Sequence, residues 1–116
     1  PLDRIEILVC DGGSTDATRA IAERFGARIV PNPRRTAEAG KAEGIAAASG
    51  DLLAFVDSDN VIVGRDWLRR MVAPLRDSSI ASSEVLRWAY EPGDGIVNRY
   101  CALTGINDPA SLFVGN

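Results

Sequence analysis

Three short apolar runs along the chain have the character of β-strands. IEILVC (residues 5–10) is continuous and rich in β-branched side chains, as expected of a strand that is covered on both faces. ARIV (residues 27–30) and LLAFV (residues 52–56) are interpreted as two further short strands. We therefore predict three strands separated by intervals that are each long enough for a helix.

The intervals between these runs carry helical patterns. Apolar residues recur at helical spacing over residues 17–25, where Ser14 or Thr15 can serve as the N-cap and Gly26 as the stop. The alanine-rich stretch at residues 36–48 predicts a second helix. Strands that alternate with helices of this length pair in parallel, so the predicted fold class is α/β, with a mostly parallel sheet flanked by helices.

The last third of the chain has weaker patterns. One apolar helical face runs over residues 67–75, and Pro74 is expected to bend or end it. A strand is predicted within residues 79–88 and a turn at residues 91–95, while IVNRYCAL (residues 96–103) fits either a helix or a strand.

Composition limits the class of protein. The chain has 116 residues, 46% of them hydrophobic, and 13 basic against 16 acidic residues for a net charge of −3, which describes a soluble domain. Without a basic run, nucleic acid is not an expected partner. Cys10 and Cys101 are interpreted as reduced packing residues, which predicts a cytoplasmic protein. No apolar run could span a membrane, so a place at its cytoplasmic face would depend on segments outside this chain.

Acidic residues follow two of the predicted strands. Asp11 precedes two glycines after the first strand, and Asp57 and Asp59 follow the third. Ligands of parallel sheets bind outside the carboxyl ends of the strands, and clustered carboxylates there favour a hard cation such as Mg²⁺ or Mn²⁺. The alternative, that these residues are only turn formers and helix caps, stays open on spacing alone.

Taken together, DGGSTDAT (residues 11–18) and GKAEGIAAASGDLLAFVDSDN (residues 40–60) resemble the nucleotide-sugar-binding half of glycosyltransferase family 2. The resemblance covers residues 5–75. It implies the GT-A fold, a D-x-D motif, a divalent metal and transfer of a sugar from a UDP- or GDP-linked donor to an acceptor hydroxyl. The acceptor, whether a glycan, a lipid-linked molecule or a small molecule, is not identified.

The resemblance also implies roles for individual residues. Asp11 stands where the family has the acid that contacts the nucleobase, Asp57 where an acid lies near the ribose and the metal, and Asp59 where one coordinates the metal. Lys41 replaces the family's usual arginine, and Ala42 its usual asparagine. The residues expected to bind the nucleotide sugar are Asp11, Gly12, Gly13, Lys41, Asp57, Ser58 and Asp59, with Asp57 and Asp59 as the metal ligands.

The catalytic base is not assigned by the sequence. The chain has no histidine, so imidazole chemistry is excluded within it, whereas metal-assisted departure of a nucleoside diphosphate needs no general acid. The family mostly inverts the anomeric centre with a carboxylate base. Asp94 and Asp108 are weak candidates, and each also fits an ordinary turn residue.

Several further residues have two interpretations. Gly40 and Gly44 inside the second predicted helix permit either close packing or close approach of a substrate. Arg34 and Arg35 are either a solvated pair or a phosphate contact. Trp67 and Trp88 are either core residues or a surface that stacks on a sugar.

Relatives in this family begin with a strand that this chain lacks, and it lies between the strands at residues 5–10 and 52–56. The chain is therefore interpreted as a fragment of a single GT-A-like domain, with residues 1–75 as the donor-binding half and residues 76–116 as an acceptor-side segment. Two other functions remain open: a nucleotidyltransferase of related architecture, and a catalytically silent nucleotide-binding or interaction domain.

Overall fold

The computed structural model describes residues 5–62, 64–85 and 90–104. The chain forms two compact units, Pro1–Asn60 and Val61–Asn116. The first unit holds β1 (Leu8–Asp11), α1 (Thr18–Arg24), β2 (Arg28–Pro31) and α2 (Ala37–Ala47). The second holds α3 (Trp67–Val72), a short 3₁₀ turn (Pro74–Arg76) and α4 (Ile96–Thr104).

A parallel pair of strands organises the first unit. β1 and β2 pair with Leu8 opposite Arg28 and Asp11 opposite Pro31, so their carboxyl ends lie side by side. α2 packs against both strands and α1 against β2. The predicted α/β class with parallel pairing is therefore confirmed.

The helices of this unit begin and end through local contacts. At the start of α1, Oδ1 of Asp16 accepts a hydrogen bond from the Thr18 N–H at 3.0 Å, so the predicted cap by Ser14 or Thr15 is wrong. Gly26 adopts a φ of 75°, a left-handed conformation that glycine reaches without strain, and ends α1 as predicted. Oγ1 of Thr36 caps α2 by accepting from the Ala39 N–H at 3.2 Å.

α2 packs closely at two glycines, one against β1 and one against the residue that follows β2. A Cβ atom placed on Gly44 would lie 3.0 Å from Sγ of Cys10, and one on Gly40 would lie 3.0 Å from Nδ2 of Asn32. The structure thus supports the packing interpretation of both glycines. Cys10 and Cys101 are both free thiols and both half-buried.

The strand predicted at residues 52–56 does not form, and this prediction is wrong. A strand needs a neighbour to satisfy its backbone groups, and the only sheet among the described residues is the pair β1 and β2. The segment is instead irregular. Its large apolar side chains are about half exposed: Leu52 53%, Leu53 48%, Phe55 54% and Val56 46%.

The second unit is mainly helical. α3 ends before Pro74, which opens the 3₁₀ turn, as the sequence predicted. α4 resolves the ambiguity of residues 96–103 in favour of a helix. Residues 79–85 contain no strand, and the remainder of the strand predicted at residues 79–88 falls outside the described residues. No helix in the described part of the chain has the length and apolar character needed to cross a bilayer.

Candidate functional site

The carboxyl end of β1 delivers a buried carboxylate. Asp11 is one of the few buried residues, with its side chain 5% exposed. The Ser14 N–H donates to Oδ1 at 3.0 Å and to Oδ2 at 3.2 Å, and the Ser14 hydroxyl also donates to Oδ1. These bonds, the hydroxyl's first, lower the pKa of Asp11 below its ordinary value, and the charge of Arg19 adds to the effect. Asp11 is therefore held as an anion.

Two glycines follow Asp11 and keep the loop open. Gly13 has a φ of 98°, which a residue with a side chain would reach only with strain. A Cβ atom on Gly12 would lie 3.3 Å from Cγ of Arg35, and one on Gly13 would lie 3.3 Å from Nη2 of Arg35. The Arg35 side chain therefore lies along the glycine loop.

A buried amide holds the loop that carries Arg35. Asn32 is 6% exposed, and its Nδ2 donates to the Thr36 carbonyl at 2.9 Å. Its Oδ1 accepts from the Arg35 N–H at 3.2 Å. Arg35 itself has a φ of 56°, in the left-handed region that arginine seldom occupies. Asn32 thus fixes a backbone conformation that directs Arg35 toward the glycine loop.

These two loops line an open pocket of about 360 Å³, a volume within the usual range for small-molecule sites. Asp11 and the glycine loop form one side, and Arg19 of α1 and Arg35 contribute positive charge. The apolar lining comes from Ile29, Pro31 and Pro33. A planar ring with polar edges could lie on this apolar surface and bond to the charged groups.

Lys41 of α2 and Asp57 form an ion pair, with Nζ of Lys41 3.2 Å from Oδ1 of Asp57. Their side chains are 47% and 57% exposed, so the pair is solvated. Ser58 and Asp59 occupy the centre of a turn closed by the Asn60 N–H, which donates to the Asp57 carbonyl at 3.0 Å. The structure therefore brings together Lys41 and the D-x-D segment, two of the predicted donor-binding elements.

The metal assignment stays a prediction. Over residues 5–62, 64–85 and 90–104, no three His, Cys, Asp or Glu side chains group closely enough to hold a metal ion, so the expected gathering of Asp11 with Asp57 and Asp59 is not found there. Two carboxylates still suit Mg²⁺, which is commonly held by one or two of them plus the phosphates of a substrate. Asp59 is exposed, and its carboxylate has no partner among the described residues, which leaves its oxygens open to a cation.

Of the two candidate bases, Asp94 is the one that lies within the described residues. Asp94 belongs to the second unit, where its N–H donates to the Glu91 carbonyl at 3.0 Å and its Oδ2 accepts from the Glu91 N–H at 2.9 Å. It acts there as a turn residue. Asp108 and Trp88 lie outside the described residues, and Trp67 is half-buried at the start of α3.

Sequence reasoning missed a carboxylate that ties the first unit together. Glu6 accepts from Nη2 of Arg28 at 2.8 Å and from both the N–H and the hydroxyl of Ser49 at 2.9 Å. The same Arg28 nitrogen donates to the Ala47 carbonyl at 2.6 Å. These contacts, that with Arg28 first, lower the pKa of Glu6 to about 2. The polar position inside the apolar run IEILVC was the available signal.

A buried anion beside a glycine loop, at the carboxyl ends of parallel strands, is typical of α/β proteins that bind nucleotides. The comparison with known families narrows this class. The model of glycosyl transferase family 2 matches residues 1–98, so the chain belongs to that family.

Several curated proteins are similar to this chain in sequence. Glycosyltransferase AglE of Haloferax volcanii is 27% identical over 97% of this chain and 39% of its own length. Glucosyl-3-phosphoglycerate synthase of Mycolicibacterium smegmatis is 36% identical over 60% of this chain and 26% of its own. The putative glycosyltransferase EpsH of Bacillus subtilis is 33% identical over 58% of this chain and 19% of its own length. The chain thus spans less than two fifths of each of these relatives, and no solved structure matches it.

Proposed function

We propose that this chain is the donor-binding part of a metal-dependent glycosyltransferase, which transfers a sugar from a nucleoside-diphosphate donor to an acceptor hydroxyl with inversion. The observation that carries the proposal is the pocket at the carboxyl ends of β1 and β2, where a buried, ionised Asp11 lies beside an open glycine loop. Membership of glycosyl transferase family 2 supports the same function. A cytoplasmic location is part of the proposal.

Each half of the donor has its own set of residues in this proposal. The base and ribose occupy the pocket beside Asp11, since its volume and apolar walls suit a flat ring. Lys41 faces the diphosphate as a point charge, and its ion pair with Asp57 keeps that charge beside the D-x-D turn. Asp57 and Asp59 would hold the metal, which when bound stabilises the negative charge that develops on the departing diphosphate.

The direct test combines a nucleotide panel with a matched pair of variants. Binding of UDP and GDP is measured with and without Mn²⁺, and release of free nucleotide from the corresponding sugar donors is measured with and without candidate acceptors. We expect Mn²⁺ to tighten binding and nucleotide release to depend on an acceptor. Asp59→Asn should remove the effect of Mn²⁺, because a neutral amide is a far weaker ligand for a hard cation.

Asp51→Asn is the control, since Asp51 is an exposed aspartate of the same segment and belongs to neither the pocket nor the D-x-D turn. It should bind and release nucleotide as the unchanged protein does. Tight nucleotide binding without turnover under any acceptor would instead favour the silent binding domain. Formation of a nucleotide sugar from a sugar phosphate and a nucleoside triphosphate would favour the nucleotidyltransferase.

A further inference from the structure

Glu6 is a carboxylate outside the pocket that joins three parts of the first unit. It precedes β1, and its Oε1 accepts from Nη2 of Arg28, the first residue of β2, at 2.8 Å. Its Oε2 accepts from the N–H and from the hydroxyl of Ser49, both at 2.9 Å. One side chain therefore connects the start of the strand pair to the residue that lies two positions beyond α2.

The partner arginine extends this contact to the end of α2. Nη2 of Arg28 also donates to the carbonyl of Ala47, the last residue of the helix, at 2.6 Å. The last carbonyls of a helix have no partner within it, and a positive charge beside them is favourable. The chain leaves the helix at Ala48, whose backbone is extended with a φ of −69° and a ψ of 147°. Glu6 and Arg28 thus hold both the end of α2 and the start of the chain that follows it.

The chain between this junction and the D-x-D turn has few polar attachments. Among the described residues, those at positions 50–56 form no hydrogen bond with one another or with the rest of the chain. The next polar contact is the ion pair between Lys41 of α2 and Asp57, and exposed pairs of this kind contribute little to stability. The bonds from Ser49 to Glu6 are therefore the last hydrogen bonds that fix the described chain ahead of the D-x-D turn.

We propose that Glu6 is a positioning residue for the D-x-D turn, because it fixes, through Ser49, the point from which the segment carrying Asp57 and Asp59 leaves α2. This inference rests on the proposed function. Glu6 precedes β1, whereas the pocket beside Asp11 lies at the carboxyl end of that strand, and Glu6 does not line it. It therefore acts on the side of the site that would hold the metal and the diphosphate, and not on the pocket itself.

A role in positioning predicts a selective loss. Residues that orient metal ligands from outside change metal affinity or activity by about 10- to 100-fold when they are replaced. We expect Glu6→Ala to reduce by roughly tenfold the factor by which Mn²⁺ tightens the binding of UDP or GDP, and to lower kcat for sugar transfer. Nucleotide affinity without Mn²⁺ should stay unchanged, because Asp11 and its loop keep their own hydrogen bonds.

The test measures nucleotide affinity by titration calorimetry with and without Mn²⁺, together with sugar transfer, on the full chain and below the unfolding midpoint of each variant. Ser49→Ala removes the hydroxyl donor to Glu6 and keeps the backbone N–H, so it should reduce the effect of Mn²⁺ by a smaller factor of about two- to fivefold. Added to Glu6→Ala, it should cause no further loss, since both changes remove the same contact.

Glu43→Ala is the matched control, since Glu43 is an exposed acid of α2 that has no hydrogen-bond or ion-pair partner among the described residues. It should change neither the effect of Mn²⁺ nor kcat. A purely structural Glu6 would give a different pattern from the one proposed. Its removal would lower the unfolding midpoint and leave the folded protein with its full response to Mn²⁺.

The possible failures are distinguishable. An unchanged effect of Mn²⁺ in Glu6→Ala and in Ser49→Ala, with sugar transfer intact, would refute positioning and leave the proposed function standing. An equal loss of nucleotide affinity with and without Mn²⁺ would show that Glu6 supports the unit as a whole, which also refutes it. If Glu6→Ala does not fold, Ser49→Ala decides by the same criteria. Absence of any effect of Mn²⁺ in the unchanged protein would overturn both proposals.

Discussion

Gly44 of α2 and Cys10 of β1 are in such close contact that the packing of this helix can be tested by a pair of substitutions. In Gly44→Ala the new methyl group would lie 3.0 Å from Sγ of Cys10, inside the optimum of about 3.5–4.0 Å for nonpolar atoms. Alanine gains about 1 kcal/mol over glycine in a helix, whereas overpacking costs about 1–3 kcal/mol. We therefore expect Gly44→Ala to leave the free energy of unfolding unchanged or lower it by up to about 2 kcal/mol.

The double variant Cys10→Ala with Gly44→Ala separates these two effects. With Sγ removed, the methyl group no longer meets the sulfur, and the helical gain of about 1 kcal/mol should appear. Urea unfolding followed by far-ultraviolet circular dichroism should then give a coupling energy of about 1–3 kcal/mol between the two sites. Ala42→Gly, at an exposed position of α2, is the control and should add to Cys10→Ala without coupling. A coupling below about 0.5 kcal/mol for the glycine pair would show that Sγ does not limit this contact.

Three further substitutions test the electrostatic contacts. Glu6 has a pKa of about 2 against an ordinary 4.5, so its contribution to stability is complete above 4.5 and is lost as the pH falls toward 2; Glu6→Gln should flatten the pH dependence of unfolding in that window. Lys41→Met removes an exposed ion pair with Asp57 and should change stability by less than about 1 kcal/mol while raising the KM for the sugar donor, so an unchanged KM would contradict its role. Ser14→Ala removes the largest cause of the lowered pKa of Asp11, so Asp11 should become protonated at a higher pH. As the pH is lowered, nucleotide binding should therefore weaken earlier in this variant than in the unchanged protein. Identical binding profiles would contradict a role for the Asp11 charge in binding.

The parts of the fold that the sequence predicted are those set by local chemistry. Gly26 ends α1 because its backbone reaches a φ of 75°, which glycine adopts without strain. The parallel pairing of β1 and β2 follows from alternating strands and helices. Each of these features depends on residues that are near one another in the chain, or on a periodic pattern.

Features that depend on distant partners were not predictable in the same way. The apolar run at residues 52–56 has the composition of a buried strand, yet a strand forms only beside another, and none lies next to it among the described residues. Glu6 meets Arg28 and Ser49 across 22 and 43 positions of sequence. No local pattern identifies such partners, although a charged residue within an apolar run marks the position.

The motifs in the sequence indicated the candidate site, but they did not indicate the hydrogen bonds that hold its loops in place. Asp11 and the glycine loop were recognised from DGGSTDAT, and Lys41 from its place in the second motif. Asn32 lies in the short stretch PNP, where an asparagine is an ordinary turn residue. Only its burial and its bonds to the Thr36 carbonyl and the Arg35 N–H distinguish it.

The buried residues of the first unit link the geometry of its pocket to its stability. The buried residues in the described part of the chain are Asp11, Val30, Asn32 and Gly40, so two of the three buried side chains are polar. Asn32 bonds to the residue that caps α2, and Asp11 bonds to the loop that leads into α1. A buried polar group left unpaired costs about 1–3 kcal/mol, so these hydrogen bonds stabilise the unit. Each of them also orients a loop of the pocket and holds the start of a helix. The geometry of the pocket is therefore fixed by the same contacts that fold the unit, and a ligand would meet groups that are already in place.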